Sequence, residues 1–260
     1  MMDKLVNRAK VRAHTMRNQL GLGDEPIHDI FQLLEQEGVF VFQKTLSQHP
    51  SAMFMRSQNE HIVIINSAKS LGHQHFSVAH EYSHYLFDQE LAGGVCLVNF
   101  YQQNYEKEQL ADLFATYFLM PEEGLLKHLA KQNPSYEQHI RLQDVLALQQ
   151  HFKVSWAAML WRLLNLNLIN RDTFNQLKER TITYEAQKYG FPLDLYHSTP
   201  DQPSQRYIEK IMTLYDHAEI SEQKADEYLN TIGKSFDELT DSSTFDHSLL
   251  IKEARDVYGE

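Results

Sequence analysis

The sequence predicts an α+β protein: a small three-stranded sheet and a metal-binding helix in the N-terminal half, then a mainly helical C-terminal part. Two observations carry this. Short runs of apolar bulk at 39–42, 52–56 and 61–66 have strand length, while helical spacing dominates the rest of the chain. One of the helical stretches contains a His-Glu-x-x-His motif at 80–84.

In chain order, Leu5, Ala9, Ala13, Met16 and Leu20 recur at helical spacing, and Gly21 and Gly23 punctuate the end of that first helix. Pro26 opens a second helix with Ile27, Ile30, Phe31 and Leu34 on one face and Gly38 past its end. The three strand candidates follow, and an antiparallel sheet is expected from them. A helix over 71–88 comes next, then a loop around Gly93 and Gly94, then a helix over 105–120 stopped by Pro121. Further helices are expected at 142–151, 155–165 and 172–179, with Ser155 and Asp172 as N-caps. Pro200 and Pro203 among polar residues mark a linker. The expected organisation is a core at 1–125, a helical extension packed on it at 126–196, a linker at 197–205 and a small helical module at 206–260.

Composition narrows the function. The 24 Lys and Arg against 35 Asp and Glu give a net charge of -11, which disfavours direct binding to nucleic acid. No apolar run approaches the ~18 residues that cross a bilayer, and the N-terminus turns polar before a secretory apolar segment forms. A cytoplasmic protein without a membrane partner is expected. Cys96 is the single cysteine, so an internal disulfide is impossible and any metal must be held by histidine and carboxylate.

The chemistry sits on the two helices at 71–88 and 105–120. His80 and His84 are four residues apart and share a helix face, so both imidazoles reach one ion at about 2.0–2.1 Å. Glu81 lies one residue along, beside the metal rather than on it, in the position of a general base. A catalytic zinc needs a third protein ligand and one open position. Glu108 is the preferred third ligand, with Glu106 and Asp112 as rivals. If Glu108 binds, Asp112 one turn on is placed to accept the distal N–H of a ligating histidine. His14, His28, His49, His61, His139 and His217 read as surface residues.

Phe76-Ser77-Val78-Ala79-His80-Glu81-Tyr82-Ser83-His84 and Glu108-Gln109-Leu110-Ala111-Asp112-Leu113-Phe114-Ala115, the second running on to Phe118-Leu119-Met120-Pro121, resemble the paired motifs of the ImmA/IrrE family of metallopeptidases. The resemblance extends over about residues 1–180. It implies a thermolysin-like zincin core, one zinc per chain on His80, His84 and Glu108, and Glu81 as the base. It also implies the substrate: a helix-turn-helix repressor of mobile-element or stress genes, here expected as a separate chain. Many relatives carry basic residues where His73 and His75 stand and a Leu-Gly pair in place of Tyr82-Ser83. The partner that stabilises the tetrahedral intermediate is accordingly open among His73, His75, Tyr101 and Tyr117. An extended peptide is expected along the edge of strand 52–56. The alternatives to an endopeptidase are a zinc-containing regulatory protein that holds a repressor or antitoxin-like partner without cutting it, and a metal-assisted hydrolase of small molecules.

Overall fold

The computed structural model of the protein describes residues 2–47, 50–57, 60–88, 93–97 and 105–240, which fall into two compact units, Met1–Ser204 and Gln205–Glu260. In the first unit, helix α1 (Met2–Gln19) buries Leu5, Ala9 and Ala13. The two alanines leave room for the later helix α4 to pack closely against this face. Helix α2 (Ile30–Gln36) begins four residues later than the Pro26 reading. Asp29 is its N-cap and accepts from the Phe31 and Gln32 amides, so a side-chain acceptor rather than the proline sets its start.

Strands β1 (Val39–Lys44), β2 (Pro50–Ser57) and β3 (Glu60–Asn66) form where the apolar runs predict them. Helix α3 (Leu71–Phe87) follows, and then a fourth strand, β4 (Gly93–Leu97), in the stretch read from sequence as a loop. Its two glycines give no side-chain signal for a strand, and the pairing with β2 is made by backbone, Met55 opposite Gly93 and Phe54 opposite Gly94. The sheet order is β1-β3-β2-β4. It is mixed rather than wholly antiparallel: β3 pairs antiparallel with β2 but inserts beside β1 and runs parallel to it. Because β2 is flanked on both sides, the edge expected to receive a peptide is not β2; β4 is the outer strand on that side.

Helix α4 (Tyr105–Leu119) lies against α1 and α3, and Leu110, Ala111, Phe114, Ala115 and Phe118 are buried along it. Pro121 stops α4 and is also the N-cap of α5 (Glu122–Gln132), which the sequence reading passed over. Helices α6 (Leu142–Phe152), α7 (Trp156–Asn165), α8 (Arg171–Lys178) and α9 (Ile182–Lys188) complete the unit and share one hydrophobic core with the sheet and α1–α5. Ser155 caps α7 as expected, whereas Asn170, not Asp172, caps α8. Gly72 in the first turn of α3 sits hard against the start of α7, where a methyl group would lie 2.8 Å from the Ser155 nitrogen. That contact requires glycine and seats the helix that carries the motif.

The segment expected as a linker at 197–205 is instead docked on the first unit up to Ser204. Gln202 and Gln43 exchange two backbone hydrogen bonds of 2.9 Å at the edge of β1. Asp201 accepts from Thr45 and Ser67, and Ser204 donates to Glu35. Polar residues with two prolines look like a linker by composition, but here Thr199, Asp201, Gln202 and Ser204 find partners on the β1 edge, α2, α3 and the turn after β3. The second unit packs α10 (Gln205–Asp216), α11 (Glu222–Asn230) and α12 (Phe236–Thr240) around Ile208, Ile211, Ala225, Leu229 and Phe236. No helix among the described residues is long and apolar enough to cross a membrane.

Candidate metal centre

Helix α3 is buried on nearly every side, yet it carries polar residues inward: Gln74, Ser77, His80, Glu81, Ser83 and His84 are all buried. Buried polar groups of this kind are tolerated when partnered, and the partners of the two histidines are carboxylates. His80 Nδ1 lies 2.8 Å from Asp112 Oδ1 on α4, and His84 Nδ1 lies 2.8 Å from Asp88 Oδ2 at the end of α3 itself. An Nδ1–H donated to a carboxylate leaves Nε2 with a bare lone pair. The two Nε2 atoms face one another at 3.2 Å.

Glu108 closes the triangle from α4. One of its oxygens is 3.2 Å from His80 Nε2 and the other 3.5 Å from His84 Nε2. Three ligand atoms about 2.0–2.1 Å from a tetrahedral centre stand about 3.3 Å from each other, by simple trigonometry on ordinary zinc bond lengths. The 3.2 Å between the two imidazole nitrogens fits that edge, and the Glu108 carboxylate reaches one nitrogen with each of its oxygens, at 3.2 and 3.5 Å, so that all three groups stand within reach of one ion. Among the described residues, His80, His84 and Glu108 are the cluster able to hold a metal ion. The donor set, two imidazoles and one carboxylate, suits a borderline cation with one position left open.

The electrostatics agree. Burial alone would raise the Glu108 carboxyl, but when the metal-free rings are protonated the His80 and His84 Nε2–H groups donate to it and their charge holds it well below the usual carboxylate range. Burial pulls the His84 imidazole down, and Asp88 and Glu108 outweigh it and raise it. The site thus concentrates negative charge around two nitrogen lone pairs, which is the field a cation requires.

The rival third ligands are placed elsewhere. Glu106 is exposed and approaches Arg8 at 3.7 Å, and Asp112 serves the far nitrogen of His80. Glu81 is 1% exposed next to the ligands. Tyr82, which stands where many relatives have leucine, turns into the core between Phe114 and Phe118 and donates to Glu37. That substitution leaves the metal face untouched. Phe54 of β2 stacks on the His84 ring with centroids 6.1 Å apart, giving the site an apolar wall.

Of the residues considered for stabilising the intermediate, Tyr101 lies outside the described residues. His73 is bonded to Ser51 on β2, and His75 to the Lys153 carbonyl and the edge of Phe31; burial lowers both imidazoles. Tyr117 stands nine residues after Glu108, roughly 13 Å along α4, and faces a separate cavity beside Lys10 and Arg162. Neither His73 nor His75 is part of the His80, His84 and Glu108 cluster. Asp88 is the site residue the sequence reading missed, although its spacing of four from His84 on one helix was the available signal. His61, read as a surface residue, is half-buried and accepts from Arg56, whose guanidinium also reaches the Tyr85 and Asp88 carbonyls at the end of α3.

No curated protein matches the chain. The peptidase family M78 model, described as the IrrE N-terminal-like domain, matches residues 34–164, from α2 through α7 and across both helices of the ligand triangle. With half of its length covered by that match and with the triangle built from the two motifs that define the resemblance, the chain belongs to the IrrE N-terminal-like family of M78 metallopeptidases.

Proposed function

We propose that the protein is a zinc-dependent endopeptidase, active on a protein substrate and in particular on a separate helix-turn-helix repressor. The observation that carries the reading is the cluster of two imidazole nitrogens and one carboxylate within reach of a single ion, with the buried Glu81 carboxylate next to it in the chain. His80, His84 and Glu108 would hold the ion, and Asp112 and Asp88 would fix the two rings. When bound, zinc supplies Lewis acidity toward a scissile carbonyl and brings the pKa of a water in its open position to about 7.

The chain's own residues do the rest. Glu81 takes a proton from the attacking water and returns it to the departing amine, the two-way transfer that a single well-placed carboxylate performs. The outer edge of β4 offers backbone groups to an extended segment, so main-chain pairing aligns the substrate while demanding little of its side chains. A repressor is the substrate that the resemblance to the ImmA/IrrE family implies.

The test is incubation of the purified protein and of Glu81→Gln with the helix-turn-helix regulator encoded beside its gene, with zinc measured by mass spectrometry in both. About one zinc in each, with the regulator cut by the parent alone, is the expected result. Retained cleavage by Glu81→Gln overturns the base assignment. Zinc without cleavage in either protein replaces the peptidase with a regulator that binds and does not cut.

A further inference from the structure

Two arginines are buried in the wall between α1, α4 and α5, and they are used differently. Arg17, 3% exposed, commits its whole guanidinium to backbone: Nε to the Gly23 carbonyl, Nη1 to Phe118, Nη2 to Leu22 and Glu25. Arg162, 2% exposed, gives only Nε, to the Met120 carbonyl at 3.0 Å. Its two terminal nitrogens have no hydrogen-bond partner among the described residues, and its planar group lies 4.7 Å over the Tyr117 ring. These terminal donors are not sealed in the core but open onto a cavity, where a ligand that replaces solvent gains charge-assisted hydrogen bonds.

The fork borders a cavity of about 190 Å³, lined also by Lys10, Arg17, Tyr117 and the first turn of α5. Lys10 approaches the same Tyr117 ring at 5.6 Å, so two cations flank one aromatic group. The Tyr117 hydroxyl likewise has no hydrogen-bond partner among the described residues. At the other end, the α5 N-cap is Pro121, with no side-chain cap, and the first turn of this 11-residue helix lines the same space. The nearby acids are Asp24, already held by Lys127 at 2.5 Å, and the exposed Glu122 and Glu123.

We propose that this cavity binds a small oxyanion, a ligand presenting one carboxylate or phosphate group to the Arg162 fork and the Tyr117 hydroxyl. Arginine's planar pair of donors matches both groups bidentately. The volume suits a ligand of a few heavy atoms, since each water occupies about 30 Å³ in the liquid. Burial pulls the Arg162 guanidinium down and the nearby Glu122 charge offsets only part of that pull, a part that a bound anion enlarges. The site lies on the last turn of α4, away from Glu108, so its occupancy is independent of the metal.

The experiment is calorimetric titration of the full zinc-loaded chain with inorganic phosphate and, separately, acetate, at ionic strength matched with chloride. Saturable binding of either anion is expected, and the preferred one identifies phosphate or carboxylate as the source chemistry. Tyr117→Phe and Arg162→Lys, which keeps the charge but removes the fork, should each weaken binding about tenfold or more, the ordinary worth of a charge-assisted hydrogen bond. Glu122→Gln should tighten it. If Arg162→Lys does not fold, Tyr117→Phe and Lys10→Gln decide alone. Absence of saturable binding at about 10 mM, tenfold above millimolar affinity, overturns the proposal. So does binding that is equal in the parent and Tyr117→Phe, which marks general charge screening.

Discussion

Helices α3 and α4 lie side by side and supply the same centre, but they do so by opposite means. Helix α3 is buried among the sheet, α2 and α4 and sends histidine and glutamate inward, whereas α4 keeps an apolar inner face and offers its acids from the boundary with solvent. The two histidine–carboxylate pairs inherit that contrast. His84–Asp88 is closed within one helix and its carboxylate is 11% exposed; His80–Asp112 crosses between helices and its carboxylate is 57% exposed. Equal bond lengths of 2.8 Å therefore sit in unequal dielectric surroundings, and equal geometry should not mean equal energy.

The largest effect expected is on the ligands themselves. His84→Ala or Glu108→Ala should empty the centre of zinc by mass spectrometry, since two protein ligands do not make a catalytic site; stoichiometric zinc in both would remove the triangle from consideration. Next comes the apolar side of the comparison. Phe118 is fully buried, stacked on Phe114 with centroids 5.1 Å apart, and Phe118→Ala should cost about 3–5 kcal/mol of unfolding free energy in urea. A loss below about 1 kcal/mol would mean α4 is not anchored by this face.

Smaller and more discriminating are the orienting carboxylates. Asp88→Asn should weaken zinc toward the upper end of the roughly 10–100-fold range for such partners, and Asp112→Asn toward the lower end, measured against a competing chelator. A reversed order would show that exposure does not set the worth of these bonds.

The smallest effect is the pH dependence. Because the folded-state His84 value is raised, the metal-free chain gains stability from the protonated ring that is fully present below about pH 6.5 and lost as pH rises through the folded value. Zinc needs the neutral ring, so its affinity runs the other way and falls as pH drops. The rise in melting temperature given by zinc should thus be larger at about pH 8 than at about pH 6. An equal rise at the two values would contradict ligation by His84.

Much of the centre was legible beforehand, because the spacing of His80 and His84 and the helical pattern around Glu108 are local properties of the chain. What escaped had no local signature. β4 begins with two glycines and exists through its pairing with β2, so no side-chain periodicity announces it. The 197–205 segment has linker composition and becomes a strap only because Gln43, Thr45 and Ser67 stand opposite its polar groups. Tyr117 and Phe118 are neighbours on one helix, yet one borders the arginine-lined cavity and the other is sealed in the core.

The sequence by itself determined the α+β class, the helix that carries His80, Glu81 and His84, and the second helix that carries Glu108, since helix periodicity and ligand spacing are written in residues three or four apart. The tertiary structure alone decided that Glu108 and not Glu106 meets the imidazoles, that Asp112 bonds the far nitrogen of His80, and that β4 rather than β2 is the outer strand of the sheet. Those outcomes depend on the angle and depth at which α3, α4 and the sheet pack, and packing is settled by the whole core at once.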